Sequence, residues 1–174
     1  MNENQDKPDE QASASSESVE EEKPKLPEIT KEKLKQILKE HKKWLESDGK
    51  KGEKANLREA KLQRAKLGSA NLREANLQGA DLIGANLQRA KLGEANLQEA
   101  FLWGADLQKA DLWRAKLQEA NFGETDLRGL ENLTIEQLKE VKTLYKAKLD
   151  PELMEKVKKC CPHLLEIPEK NRAN

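Results

Sequence analysis

Aromatic side chains are scarce in this 174-residue chain, which has three Trp, two Phe and one Tyr, 3% of its residues. Large rings dominate most cores, so a core of the ordinary mixed kind cannot be built here. Cysteine is nearly absent too. The two present, Cys160 and Cys161, are adjacent. They form no disulfide framework and point to a reducing compartment, with a cytoplasmic location expected. Charge of one sign is not in excess, with Lys+Arg and Asp+Glu at 32 each. This balance disfavours direct binding to nucleic acid or an anionic membrane. No apolar run is long enough to cross a bilayer, and residues 1–25 hold none that could serve as a secretory leader.

What remains is charge, 37% of the chain, together with Ala and Leu. Along the sequence these sort into segments. Met1–Pro24 carries eight acidic and two basic residues. Such a segment buries too little apolar surface to offset its ordering entropy, so residues 1–26 are expected to form a disordered acidic tail. Residues 27–54 read as an amphipathic helix and linker. Leu34, Ile37, Leu38, His41 and Leu45 share one helical stripe, Thr30 is placed as N-cap, and Ser47-Asp48-Gly49 is the stop. After Gly129, a second amphipathic helix is expected over Thr134–Leu144, opened by a Thr134/Gln137 capping box. A third begins at Asp150-Pro151 and ends at Pro162. Residues 130–168 thus read as a helical C-terminal segment, and 169–174 as a frayed tail.

Between the flanks, Ala55–Gly129 is fifteen consecutive five-residue units. The first position is Ala in fourteen of them, with Thr125 the exception, and the third is Leu in fourteen, with Phe122 the exception. A period of five excludes a single α-helix, because each unit advances about 140° net and scatters the leucines around every face. It also misses the 3.5 spacing of a coiled coil. A straight strand fails as well, since an odd period moves the apolar pair to the opposite face at every unit. The conflict disappears if the chain turns a quarter circle between units. Four units then close one coil, every Ala and Leu points to a common axis, and coils stack roughly 4.8 Å apart.

The units AKLQR (Ala60–Arg64), AKLGS (Ala65–Ser69), ANLRE (Ala70–Glu74) and onward to TDLRG (Thr125–Gly129) resemble the pentapeptide-repeat proteins, whose consensus is A-(D/N)-L-x-x. The resemblance implies an all-β solenoid core, a right-handed quadrilateral β-helix, with flanking α-helical caps. The flanks Leu38–Leu57 and Leu133–Leu153 resemble segments that border such arrays in bacterial members. Lys61, Lys66, Lys91 and Lys116 depart from the consensus by filling the Asp/Asn slot. Seven glycines, from Gly68 to Gly129, fall at the fourth or fifth positions, where corners are expected.

Stacking at intervals of twenty maps the surface. One face carries Ile83 beneath Trp103, with Phe101 beside them, and Trp113 is a lone apolar residue elsewhere. An aromatic cluster rimmed by polar groups marks an interface, or else a seat for a flanking helix. Ile83, Phe101 and Trp103 are therefore the candidate protein-binding patch. No catalytic, cofactor or metal site is expected. Cys160, Cys161 and His163 lack a fourth ligand, and the array's carboxylates sit among cations on convex walls. The expected function is a non-enzymatic scaffold for protein partners, either a monomer or an end-to-end homodimer. An alternative implied by the resemblance is a DNA mimic that binds a type II topoisomerase such as gyrase. Eleven basic and ten acidic residues in the array make a near-neutral rod, which disfavours it.

The inward and outward assignment is testable. Leu92→Ala should cost about 2–5 kcal/mol, whereas Arg89→Ala should change stability by less than about 0.5 kcal/mol. Comparable losses in urea denaturation would contradict the assignment.

Overall fold

The computed structural model describes residues 29–168. The acidic tail expected at 1–26 and the frayed end expected at 169–174 lie outside them. The middle of the chain is a four-sided coil. The second residue of each unit pairs, in parallel, with the residue twenty further on, from Asn56 with Asn76 to Asp111 with Glu131. Leu57 N donates to Asn76 O at 2.7 Å, and Asn76 N donates to Ala55 O at 3.0 Å. The same pair of bonds recurs up the stack and satisfies the backbone of the interior coils. Each pairing is a single bridge, and no extended strand forms among the described residues. A corner follows every three residues, too soon for a continuous ladder.

The corners are β-turns. From Ala60 onward, the first residue of each unit donates its N–H back to the third residue of the unit before, as Ala60 N does to Leu57 O at 3.1 Å. The fifth residue, between them, takes a left-handed backbone. Eleven of these fifth residues are not glycine, with φ between 51° and 60°. A positive φ at that place is the requirement of a type II turn. Of the array's glycines, only those at the fifth position, Gly79, Gly84, Gly104 and Gly129, meet it. The fourth-position glycines Gly68, Gly93 and Gly123 do not, and their role is one of space.

The Asp/Asn slot has a physical reason. In all ten units that carry Asp or Asn at the second position, its Oδ1 accepts the N–H of the fourth residue, as Asn96 does from Gln98 at 3.1 Å and Asn121 from Gly123 at 3.0 Å. These side chains brace the entry to the corner. The four lysine units and Phe101 give up that brace. Inside the coil, the leucines from Leu67 to Leu117 are at most 1% exposed. Phe122 fills a leucine slot, and buried Thr125 fills an alanine slot by donating its hydroxyl to Leu102 O at 2.9 Å.

Among the described residues, three helices flank or interrupt the coil. The first, α1, spans Lys31–Glu46, and the Thr30 hydroxyl accepts Lys33 N at 3.1 Å. Leu34, Ile37 and Leu38 pack on the core. The chain then doubles back through Gly52, where a Cβ would lie 2.3 Å from Glu40 O. The second, α2, covers only Ile135–Lys139, with the capping box in place. The helix expected over Thr134–Leu144 is therefore cut short, and the coil does not end at Gly129. Glu131 pairs with Asp111, then Thr143 with Asn121 and Lys148 with Asp126. The backbone groups on the open edge of the last full coil need partners, and residues 142–149 supply them while turning Leu144 and Leu149 inward. The third helix, α3, spans Pro151–Cys160. Asp150 stands at its N-cap without capping it and instead accepts Gly129 N at 2.8 Å. In the 3-10 turn Pro162–Leu165, Leu164 O accepts Leu144 N at 2.7 Å.

His41 joins α1 to the coil. It is fully buried, and its Nδ1 accepts Ala55 N at 3.1 Å. Burial lowers its pKa below the ordinary 6.5, outweighing the opposing pull of the Arg73 backbone. Protonation would also turn the acceptor that serves Ala55 into a donor. The unfolded chain takes up this proton near pH 6.5 while the folded chain resists it, so stability is full above that pH and falls below it. Urea denaturation from about pH 7.5 down to about pH 5.5 should show this loss, and a His41→Asn variant should lack it. Equal pH slopes for the two proteins would contradict the assignment.

Candidate interaction face and neighbouring groups

One wall is built from units beginning at Ala60, Ala80, Ala100 and Ala120, continued by residues 142–146. Its second-position column reads Lys61, Asp81, Phe101, Asn121, Thr143. Its fourth-position column reads Gln63, Ile83, Trp103, Gly123, Tyr145. The expected patch thus lies on one wall, with Phe101 49% and Ile83 42% exposed. No helix among the described residues buries them. Trp103 is half-buried because it leans across the next coil. A Cβ on Gly123 would fall 2.3 Å from Trp103 Cε3 and Cζ3, so the missing side chain at 123 is the seat of the indole. Beyond it, the Tyr145 ring lies 6.2 Å from Trp103, tilted by 38°.

Tyr145 is the member that counting by twenty misses. The α2 insertion lengthens the stacking interval to 22 residues at Asn121–Thr143. A signal was present in Leu144, Ala147 and Leu149, which keep the unit's two-and-five spacing. The rim of the wall is charged and mixed. Lys146 Nζ sits 5.1 Å over the Tyr145 ring and 3.8 Å from Glu124 Oε1. On the adjoining wall, Arg128 pairs with Asp126 at 2.6 Å and holds that carboxyl below its ordinary range. Trp113 stands apart on a third wall, under the Arg114 guanidinium at 4.7 Å.

The other chemical groups stay separate. Cys160 and Cys161 are free, with sulfurs 2.7 Å apart. Burial, then the hydrogen bond with Cys160, pushes the Cys161 thiol up to about 11. It is therefore not a thiolate at neutral pH. Among the described residues no His, Cys, Asp or Glu cluster is placed to hold a metal ion, and no helix is long and apolar enough to cross a membrane.

The family model for pentapeptide repeats matches residues 55–93 and 95–129, in eight copies. Over these residues the chain is similar to the pentapeptide-repeat family. Solved structures similar to it include a pentapeptide repeat protein of the cyanobacterium Cyanothece, 31% identical over 59% of this chain, with a TM-score of 0.47. The match spans 65% of that protein's chain, just under two thirds. Another is a pentapeptide repeat protein of the Arabidopsis thaliana thylakoid lumen, 28% identical over 60% of this chain and 72% of its own, with a TM-score of 0.40. A third, from the cyanobacterium Nostoc, is involved in heterocyst differentiation regulation. It is 35% identical over 45% of each chain, with a TM-score of 0.24. No curated protein matches the chain.

The seat of Trp103 can be tested by filling it. Gly123→Ala should cost about 1–3 kcal/mol by overpacking and shift tryptophan emission to the red. Gly93→Ala, whose added Cβ meets nothing closer than 3.6 Å, should do neither. Equal thermal unfolding of both variants and the parent would show that Trp103 does not rest on Gly123.

Proposed function

We propose that the chain is a non-enzymatic scaffold whose aromatic wall docks a protein partner. The observation that carries this reading is the column Ile83, Trp103 and Tyr145, with Phe101 beside it. It presents apolar area on a rigid surface whose backbone is fixed by stacking. Single exposed apolar residues are ordinary on any surface. Two exposed ones and two half-buried rings on one wall, in a chain with six aromatics in all, are a patch with a polar rim.

The same reading assigns α1 and the α3–Leu165 segment as caps that seal both ends of the rod. His41 on Ala55 and Leu164 on Leu144 support this assignment. Sealed ends favour a monomer over an end-to-end dimer. The adjacent free cysteines favour a reducing, cytoplasmic setting. A DNA-like surface that would engage a type II topoisomerase is not favoured, since the array stays near neutral.

Phe101→Ser and Trp103→Gln should leave the fold intact and abolish capture of the partner by the immobilised protein. Light scattering after size exclusion should find both variants and the parent monomeric. Unchanged capture by both variants would remove the wall from consideration, and dimers in all three would reassign the ends.

A further inference from the structure

A groove runs along a different wall, the one made by units beginning at Ala70, Ala90 and Ala110. Gly93 is its floor. A Cβ there would stand 3.9 Å from Arg73 Cγ, one coil below, and 3.8 Å from Trp113 Cε3, one coil above. Lys91 flanks the floor, and Arg89 and Lys109 line it from the adjoining corner. Among the described residues, none of these four cations is in an ion pair. The opposing carboxylates lie at one end only. There Asp111 already accepts Asn132 Nδ2 at 2.8 Å and Trp113 N at 3.0 Å, and Glu131 stands beside it. A near-neutral rod thus concentrates positive charge in one groove, next to a Trp113 ring that is 39% exposed.

The chain carries a segment of the opposite charge. Residues 17–22 read ESVEEE, four Glu in six residues with one Val. Six further residues separate them from Ile29, which packs on the core at the start of α1. Those six can span about 20 Å. The groove begins in the first coil, at Arg73, and its three coils rise about 10 Å in all. A segment of the same chain that reaches the groove meets it at an effective concentration of about millimolar, sufficient for a contact built from screened charges. A continuous nucleic-acid backbone fits less well, because Asp111 and Glu131 close one end of the positive strip.

We propose that the acidic segment 17–22 of this same chain occupies the groove lined by Arg73, Arg89, Lys91 and Lys109, beside Trp113. The rod would then carry a built-in acidic ligand that any external acidic peptide must displace. This contact is independent of the aromatic wall.

The test uses the full chain, labelled for NMR. A Glu20→Gln/Glu21→Gln/Glu22→Gln variant should shift the Gly93 amide and Trp113 indole N–H peaks at low salt, leaving the Trp44 and Trp103 indoles in place. The difference should vanish at about 0.5 M salt, where screening is nearly complete. Reciprocally, Arg89→Glu/Lys109→Glu should move the amide peaks of residues 17–22. Coincident spectra at Gly93 and Trp113 in low salt would overturn the proposal. Shifts that weaken on dilution of the parent protein would overturn it as well, by assigning the segment to the groove of a second copy.

Discussion

The quarter turn at every fifth residue is the constraint from which the other features follow. Eleven corners hold a non-glycine residue at positive φ, each at a cost of about 1 kcal/mol. The leucine that the turn directs inward recovers about 1.5–3 kcal/mol, and stacking satisfies the backbone on both sides. Asp or Asn at the second position adds a side-chain bond to the fourth N–H in ten units. The core is thereby reduced to two residue types of fixed size. That is why a chain with so few aromatic residues can fold.

Because the core takes only two positions in five, the other three are free to carry information. Most carry polar residues at ordinary density. Two walls depart from this. On one, Ile83, Phe101, Trp103 and Tyr145 gather apolar area, and Gly123 gives the indole its seat. On another, Gly93 opens a groove between Arg73 and Trp113 and four cations line it. The glycines on the two walls differ. Gly123 is filled by a neighbour's ring and Gly93 is left open. One therefore builds a flat aromatic surface and the other a groove.

Legibility from sequence followed the repeat. The inward Ala and Leu positions, the four units per coil and the clustering of Ile83, Phe101 and Trp103 all follow from period alone. The departures from period were harder to place. Val141 and Leu144 continue a helical stripe from Ile135 and Leu138, yet they belong to the coil, because open backbone groups on Ala120 and Leu127 compete for the segment and win. Tyr145 was hidden for the same reason, since two inserted residues shift it into the aromatic column. Asp150 looked like a cap and became the acceptor for Gly129. The four lysines in the Asp/Asn slot were visible as exceptions, but what they forgo, a bond to the fourth N–H, is a fact of corner geometry.

The sequence by itself determined the coil, because a strict five-residue period with Ala and Leu at fixed places has no other way to keep its apolar side chains together. It also determined which residues face outward on each wall. The tertiary structure alone decided where the coil stops, how short α2 is and which side chains lean onto which glycines. Those outcomes depend on competition for unpaired backbone groups and on space between neighbouring coils. Both are set by residues about twenty apart, beyond the reach of local pattern.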